Sequence, residues 1–212
     1  MTLLNDEIRD QVTELLAGLD HPVRLLVFTT PEDCQYCDVI VELTQEVAAT
    51  SEQVAVEVYD VTKNAAIAAE FAIDKTPAIA FIGKEDYGLR FFGIPAQHEF
   101  TTLIHGIQAV GHGHAHLDEA TASFLAELQK PVLMRVFVTP GCPYCPPMAA
   151  MAYDMAVASS YVRAEVVEAS EFPELAQQFD VMGVPLSVIN EQVRVEGSVP
   201  AEKIVDAIKS VL

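Results

Sequence analysis

The chain repeats itself, and this constrains its fold more than any other feature. His21-Pro22-Val23-Arg24-Leu25-Leu26-Val27-Phe28-Thr29-Thr30-Pro31 resembles Lys130-Pro131-Val132-Leu133-Met134-Arg135-Val136-Phe137-Val138-Thr139-Pro140. Shortly after, Cys34-Gln35-Tyr36-Cys37 matches Cys142-Pro143-Tyr144-Cys145. The offset is 109 at His21 and Lys130 and becomes 108 at Cys34 and Cys142, because Glu32-Asp33 stands where the second copy has Gly141 alone. Offset 108 then persists through Asp60 and Glu168, Phe71 and Phe179, and Pro77 and Pro185. A strand, a cysteine pair and a proline matched in one order are the mark of a duplicated unit.

Hydrophobic periodicity divides each copy into the same elements. Leu4, Ile8, Val12, Leu15, Leu16 and Leu19 recur at helical spacing behind Asn5, a good N-cap. The pattern then predicts a strand over 23–29, a helix over 34–49, a strand over 54–59 and an alanine-rich helix over 64–71. A hairpin over 78–82 and 88–92 and a helix over 96–110 close the copy. The second copy predicts a helix over 118–129, a strand over 132–138, a helix over 142–159, a strand over 161–167 and a helix over 171–179. A shorter hairpin over 186–189 and 192–196 and a helix over 201–212 follow. The boundary falls in Gly111-His112-Gly113-His114-Ala115-His116-Leu117, giving one unit over 1–111 and another over 117–212. Each is long enough for a small core. The order predicts an α/β class, each unit a central mixed sheet flanked by helices on both faces.

Composition narrows the function. Twelve Lys and Arg against 31 Asp and Glu leave a net charge of −19. That disfavours nucleic acid, whose phosphates need clustered cations, and anionic membrane surfaces. No run approaches the ~18 apolar residues of a membrane span. The start, with Asp6 and Glu7 ahead of Arg9, is unlike a basic, apolar leader, so a cytoplasmic location is expected. Cysteines in a reducing compartment seldom serve as structural staples.

Their spacing instead carries redox chemistry. A Cys-x-x-Cys after a strand and at a helix start puts the first cysteine where free N–H groups and the helix dipole favour a thiolate. That thiolate attacks a disulfide, and the second cysteine, one turn on, resolves the mixed disulfide. Pro143 suits a first helical turn, which needs no N–H there. Zinc is disfavoured, since its cysteine pairs usually lie ~15–20 residues apart and these lie on separate units. Pro77, behind Thr76, and Pro185, behind Val184, share the cysteines' offset. A cis bond at each would expose the Thr76 or Val184 backbone to an extended substrate chain.

Strand, Cys-x-x-Cys helix, strand, helix, proline, hairpin and helix resemble the thioredoxin fold. Two such units in tandem, with Cys34-Gln35-Tyr36-Cys37 and the glutaredoxin-type Cys142-Pro143-Tyr144-Cys145, are similar to the protein disulfide oxidoreductases, glutaredoxin-like relatives of protein disulfide isomerase. The resemblance implies reduction, oxidation or isomerisation of protein disulfides, a flavoprotein thioredoxin reductase as electron donor, no cofactor beyond the cysteine pairs, and cis bonds at Pro77 and Pro185. One alternative is an electron relay that reduces a peroxiredoxin, as in the tandem segment of alkyl hydroperoxide reductase flavoproteins, although those usually keep one Cys-x-x-Cys. Another is a redox-inert, chaperone-like binding module.

Other residues carry weaker expectations. Tyr36 and Tyr144 offer substrates an apolar edge. The strands before the cysteines lack a carboxylate, so any proton acceptor must be Asp60 or Glu168, which read more simply as exposed strand-end charges. His112, His114 and His116 read as a mobile linker without fixed metal geometry, and Met148, Met151 and Met155 as core filling. Lys75 is the one cation ahead of either proline, so glutathione is a weaker substrate than a protein. Glu32 and Asp33 should raise the pKa of Cys34 relative to Cys142.

Overall fold

The computed structural model describes residues 2–212. The helix α1 (Asp6–Leu15) begins at Asn5, whose side chain accepts the Ile8 N–H. The first copy continues as β1 (Val23–Thr29), α2 (Cys37–Ala48), β2 (Val54–Asp60), α3 (Ala65–Glu70), β3 (Ala78–Ile82), β4 (Leu89–Phe92), a 3-10 turn (Gln97–Glu99) and α4 (Phe100–His112). The second runs α5 (Glu119–Ala126), β5 (Val132–Val138), α6 (Cys145–Ala158), β6 (Val162–Glu168), α7 (Pro173–Gln178), β7 (Leu186–Ile189), β8 (Val193–Glu196) and α8 (Ala201–Lys209). The expected element order and the α/β class with a mixed sheet are present.

Two boundaries differ in a way that matters. The helices α2 and α6 start at the second cysteine of each pair, not the first. Asp33 holds a left-handed φ of 54°, which turns the chain before Cys34, and Tyr36 is the N-cap residue. Pro143 therefore lies ahead of the helix, and Pro146 occupies its first turn.

The larger finding is how the copies join. Within each, the first strand pairs parallel with the second and antiparallel with the third. β4 then pairs parallel with β6, Leu89 against Ala164 through Phe92 against Val167. The result is one eight-stranded sheet in the order β2-β1-β3-β4-β6-β5-β7-β8. Burial explains the choice of edges. β4 is buried throughout and β6 almost throughout, whereas the outer strands β2 and β8 keep residues in water. A strand buried on both faces reads as a continuous apolar run, and Leu89-Arg90-Phe91-Phe92 approaches one. Its arginine is buried because Nη1 and Nη2 fork onto Asp86 at 2.9 and 2.6 Å and Nε donates to the Phe71 carbonyl at 2.8 Å.

One apolar cluster runs across both copies on one face, joining Leu25, Val27, Phe81 and Phe91 to Met134, Val136 and Tyr153. The hydroxyl of Tyr153, on α6, donates to the Arg90 carbonyl at 3.0 Å. Met148 and Met155 are buried in this cluster, with Met151 partly buried against it. The opposite face packs Phe28, Phe92, Phe137 and Leu186 against residues of α3 and α7.

The histidine segment is more ordered than its composition suggests. His112 is the last residue of α4 and pairs with Asp20 at 2.9 Å, holding that carboxyl below its usual pKa through the hydrogen bond. Gly113 caps the helix at φ 66°, where a Cβ would lie 2.7 Å from the Tyr87 hydroxyl. His112, His114 and His116 follow one another with ring centres 5.5 and 5.3 Å apart. Among the described residues, no three or more His, Cys, Asp or Glu are placed to hold a metal ion, and no helix is long and apolar enough to cross a membrane.

Candidate active site

The register of the sheet sends β1, β4, β5 and β6 in one direction, so both cysteine pairs lie at the same sheet edge. Four strand spacings separate β1 from β5, about 19 Å at ~4.8 Å each. Cys34 and Cys37 are disulfide-bonded with Cα atoms 5.5 Å apart, and Cys142 and Cys145 likewise at 5.5 Å. Each first cysteine stands one turn ahead of its helix, but its sulfur is bonded to the helix's first residue and so remains at the helix end. Cys37 is 6% exposed and accepts the Thr30 N–H at 3.4 Å, while Cys34 is half-buried. In the second pair Cys142 is 7% exposed and Cys145 fully buried.

The Thr76–Pro77 and Val184–Pro185 bonds are both cis. Each proline is buried and each preceding residue partly exposed. The Pro77 carbonyl accepts the Gly93 N–H and the Pro185 carbonyl the Gly197 N–H, both at 2.8 Å, so each hairpin fastens its proline. Cys142 Sγ lies 3.7 Å from the Val184 carbonyl oxygen. Cys34, Tyr36, Thr76 and Pro77 line one cavity of about 430 Å³. Tyr144 is exposed beside Cys142. Lys75 is already engaged, paired with Asp74 and seated over the Phe92 ring.

Carboxylates distinguish the two copies. Asp60 shares a cavity with Cys37. Hydrogen bonds from the Thr62 hydroxyl and from Lys63, which is 2.9 Å away, hold its pKa down at about 2, so it is a poor proton acceptor. Its counterpart Glu168 is not an exposed strand-end charge: it is 2% exposed, and its carboxylate accepts the Ser170 and Glu171 N–H groups at 3.2 and 2.7 Å. Glu168 lines the cavity of Cys34, although it belongs to the other copy.

Two further acids escaped the sequence reading. Glu99 is fully buried; Oε2 accepts the Thr102 hydroxyl at 2.7 Å and Oε1 has no partner. Burial raises its pKa to about 7, and the charge of Glu168 adds to the rise. Glu171 also lines the Cys34 cavity. Burial raises its pKa to about 7, the Ile94 N–H at 2.6 Å opposes that, and Glu168 reinforces it. Gly93 makes the approach possible: at φ 97°, a Cβ there would lie 2.7 Å from Glu168 Cβ and 2.8 Å from Glu171 Oε1. A signal for Glu171 was present in the repeat, since its counterpart is Lys63. Asp60 thus faces a cation where Glu168 faces a second acid.

Two nearby sulfurs that open and close a disulfide at the end of a helix can exchange with a second disulfide. Known proteins share the fold. The protein disulfide oxidoreductase of Aeropyrum pernix superposes with a TM-score of 0.90 at 28% identity, over 98% of this chain and 93% of that one. The NTD_N/C domain of the alkyl hydroperoxide reductase AhpF from Enterococcus faecalis gives 0.89 at 26% identity, over 97% and 99%. The alkyl hydroperoxide reductase AhpF of Pseudomonas aeruginosa is 28% identical over 119 residues, 56% of this chain but 23% of that longer protein. The thioredoxin domain family matches residues 23–105 and again 132–210. The chain, with one such match around each cysteine pair, therefore belongs to the thioredoxin domain family.

Proposed function

We propose that the protein is a dithiol–disulfide oxidoreductase acting on protein disulfides, with one site in residues 1–111 and one in 117–212. Cys34 and Cys142 attack, and Cys37 and Cys145 resolve. The observation that carries this reading is the pairing, at one sheet edge, of each cysteine couple with an X–Pro backbone that stays partly exposed at Thr76 or Val184. An extended chain can add backbone hydrogen bonds there, and Tyr36 and Tyr144 give it an apolar border. The cysteine pairs are the only redox groups the reaction needs, and a flavoprotein thioredoxin reductase in the cytoplasm is the donor this reading assigns. Lys75 is committed to Asp74, which leaves glutathione without a free cation at the first site.

A second reading has support from the likeness to AhpF: the chain would relay electrons to a peroxiredoxin. Two complete cysteine pairs favour the first. Reduction of insulin with dithiothreitol as donor tests it. Turnover well above dithiothreitol alone is expected. No acceleration of insulin, with rapid reduction of a peroxiredoxin disulfide, would favour the relay. Alkylation of all four thiols should abolish turnover, and a holding effect on unfolded chains that survives alkylation would point to a binding module.

A further inference from the structure

The cavity of the first site contains a carboxyl group from the other copy, and the repeat breaks where that group stands. Position 63 is a lysine that draws Asp60 into an ion pair; position 171 is a glutamate beside Glu168. Glu171 lines the cavity together with Cys34, Thr76 and Pro77, and its Oε1 is fixed by the N–H of Ile94, itself a wall of that cavity. The side of Cys37 is different: its cavity holds Asp60. Substrate would meet Cys34 from the Pro77 side, so a departing substrate sulfur leaves into the space Glu171 borders.

We propose that Glu171 is the proton donor to the thiolate that leaves when the Cys34–Cys37 site reduces a substrate disulfide. This rests on the reading of that pair as an exchange site. The Cys34 thiolate attacks R–S–S–R′, forming Cys34–S–S–R and releasing R′–S⁻. The Cys37 thiol gives its proton to water; its thiolate then forms the Cys34–Cys37 disulfide and releases R–S⁻. Each displacement makes one S–S bond and breaks one, and the two electrons of the dithiol end on the two substrate sulfurs. Glu171 protonates the departing sulfur and regains a proton from water at the cavity mouth. An ordinary thiol has a pKa of ~8.5, above the value near 7 to which burial and Glu168 bring Glu171, so the transfer is downhill. The charged groups facing it are Asp33 and Glu168 in this cavity, and Lys75 and Glu174 in the neighbouring one.

The test uses the full chain carrying Cys142→Ser and Cys145→Ser, so that the first site alone turns over, with and without Glu171→Gln. Gln keeps an acceptor for the Ile94 N–H. Single-turnover oxidation of the reduced protein is followed with two uncharged disulfides. Bis(2-hydroxyethyl) disulfide releases an alkyl thiolate that needs a proton; 4,4′-dithiodipyridine releases one that does not. At about pH 6 the Gln variant should be about a hundredfold slower on the alkyl disulfide, at the modest end of general acid catalysis. The ratio should fall toward one above about pH 8, where Glu171 has lost its proton, and Glu171→Asp should recover part of the rate. At about pH 6, where Glu171 keeps its proton and adds no charge beside Cys34, rates on the aromatic disulfide should match. Equal slowing on both substrates, or a ratio that ignores pH, would overturn the proton-donor role and leave a structural one. No exchange by the Glu171 parent with either disulfide would overturn the exchange reading and the donor role with it.

Discussion

Glu99 is where pH should act most directly on the fold. Its side chain is fully buried, with one oxygen on Thr102 and the other without a partner, and its pKa is raised from 4.5 to about 7 by burial. Below about pH 4.5 both the folded and the unfolded chain hold the proton, and the group leaves stability unchanged. Between 4.5 and about 7 the unfolded chain releases it while the folded chain keeps it, so stability falls as pH rises. Above about 7 the folded chain ionises as well and the loss is complete. At ~1.4 kcal/mol per pH unit, the whole loss is roughly 3 kcal/mol. Glu99→Gln removes the titration and keeps an acceptor for Thr102, but places an amide NH₂ where the unpartnered oxygen stood, at about 1 kcal/mol. The variant should therefore be less stable than the parent by about 1 kcal/mol near pH 4.5 and more stable by about 2 kcal/mol near pH 8. For a chain of this length each kcal/mol moves Tm by ~2–4 °C. Thermal unfolding by circular dichroism, without reductant, should show the two melting curves change order between those pH values. A Tm difference that is constant with pH, or that runs the other way, would refute the reasoning.

Three other outcomes are expected. Arg90→Met strands Asp86 and the Phe71 carbonyl; because Asp86 is about a third exposed, the cost should be about 2–4 kcal/mol in urea unfolding, below that of a fully buried pair, and a cost below about 1 kcal/mol would contradict the structure. Replacing His112, His114 and His116 by Ser removes the exposed pair with Asp20, the long contact of His114 with the His112 carbonyl and the ring contacts along the three, so stability should change by less than about 1 kcal/mol and turnover should hold; loss of a bound metal together with activity would contradict this. Cys142→Ser should cost more insulin-reducing activity than Cys34→Ser, because Asp33, Glu168 and Glu171 surround Cys34 and carboxylates raise a thiol's pKa; iodoacetamide labelling across pH should then give Cys142 the lower midpoint, and the reverse order would show that Gln35 or the helix end outweighs the carboxylates.

Much of the site was legible because it is local and repeated. A Cys-x-x-Cys behind a buried strand needs only neighbouring residues to reach its geometry, and the shared offset of Pro77 and Pro185 tied each proline to its pair. Helix starts were misplaced by one turn at Cys34 and Cys142; at the first, the turn at Asp33 depends on a backbone angle that residue type only biases.

The amino-acid order by itself determined the duplication, the strands, the cysteine pairs and the prolines, because these follow from period, spacing and backbone chemistry along a short stretch. Tertiary structure alone decided that β4 would pair with β6. Apolar residues such as Phe91 and Phe92 announce that a strand is buried, but a backbone ladder accepts any strand of suitable edge, so they do not name the partner. That pairing brings Glu168 and Glu171 under Cys34 and buries Arg90 at the seam. The pKa values of Glu99 and Glu171 follow from it as well, since a carboxylate's titration is set by water lost and charges met, both of which come from chain segments far away in sequence.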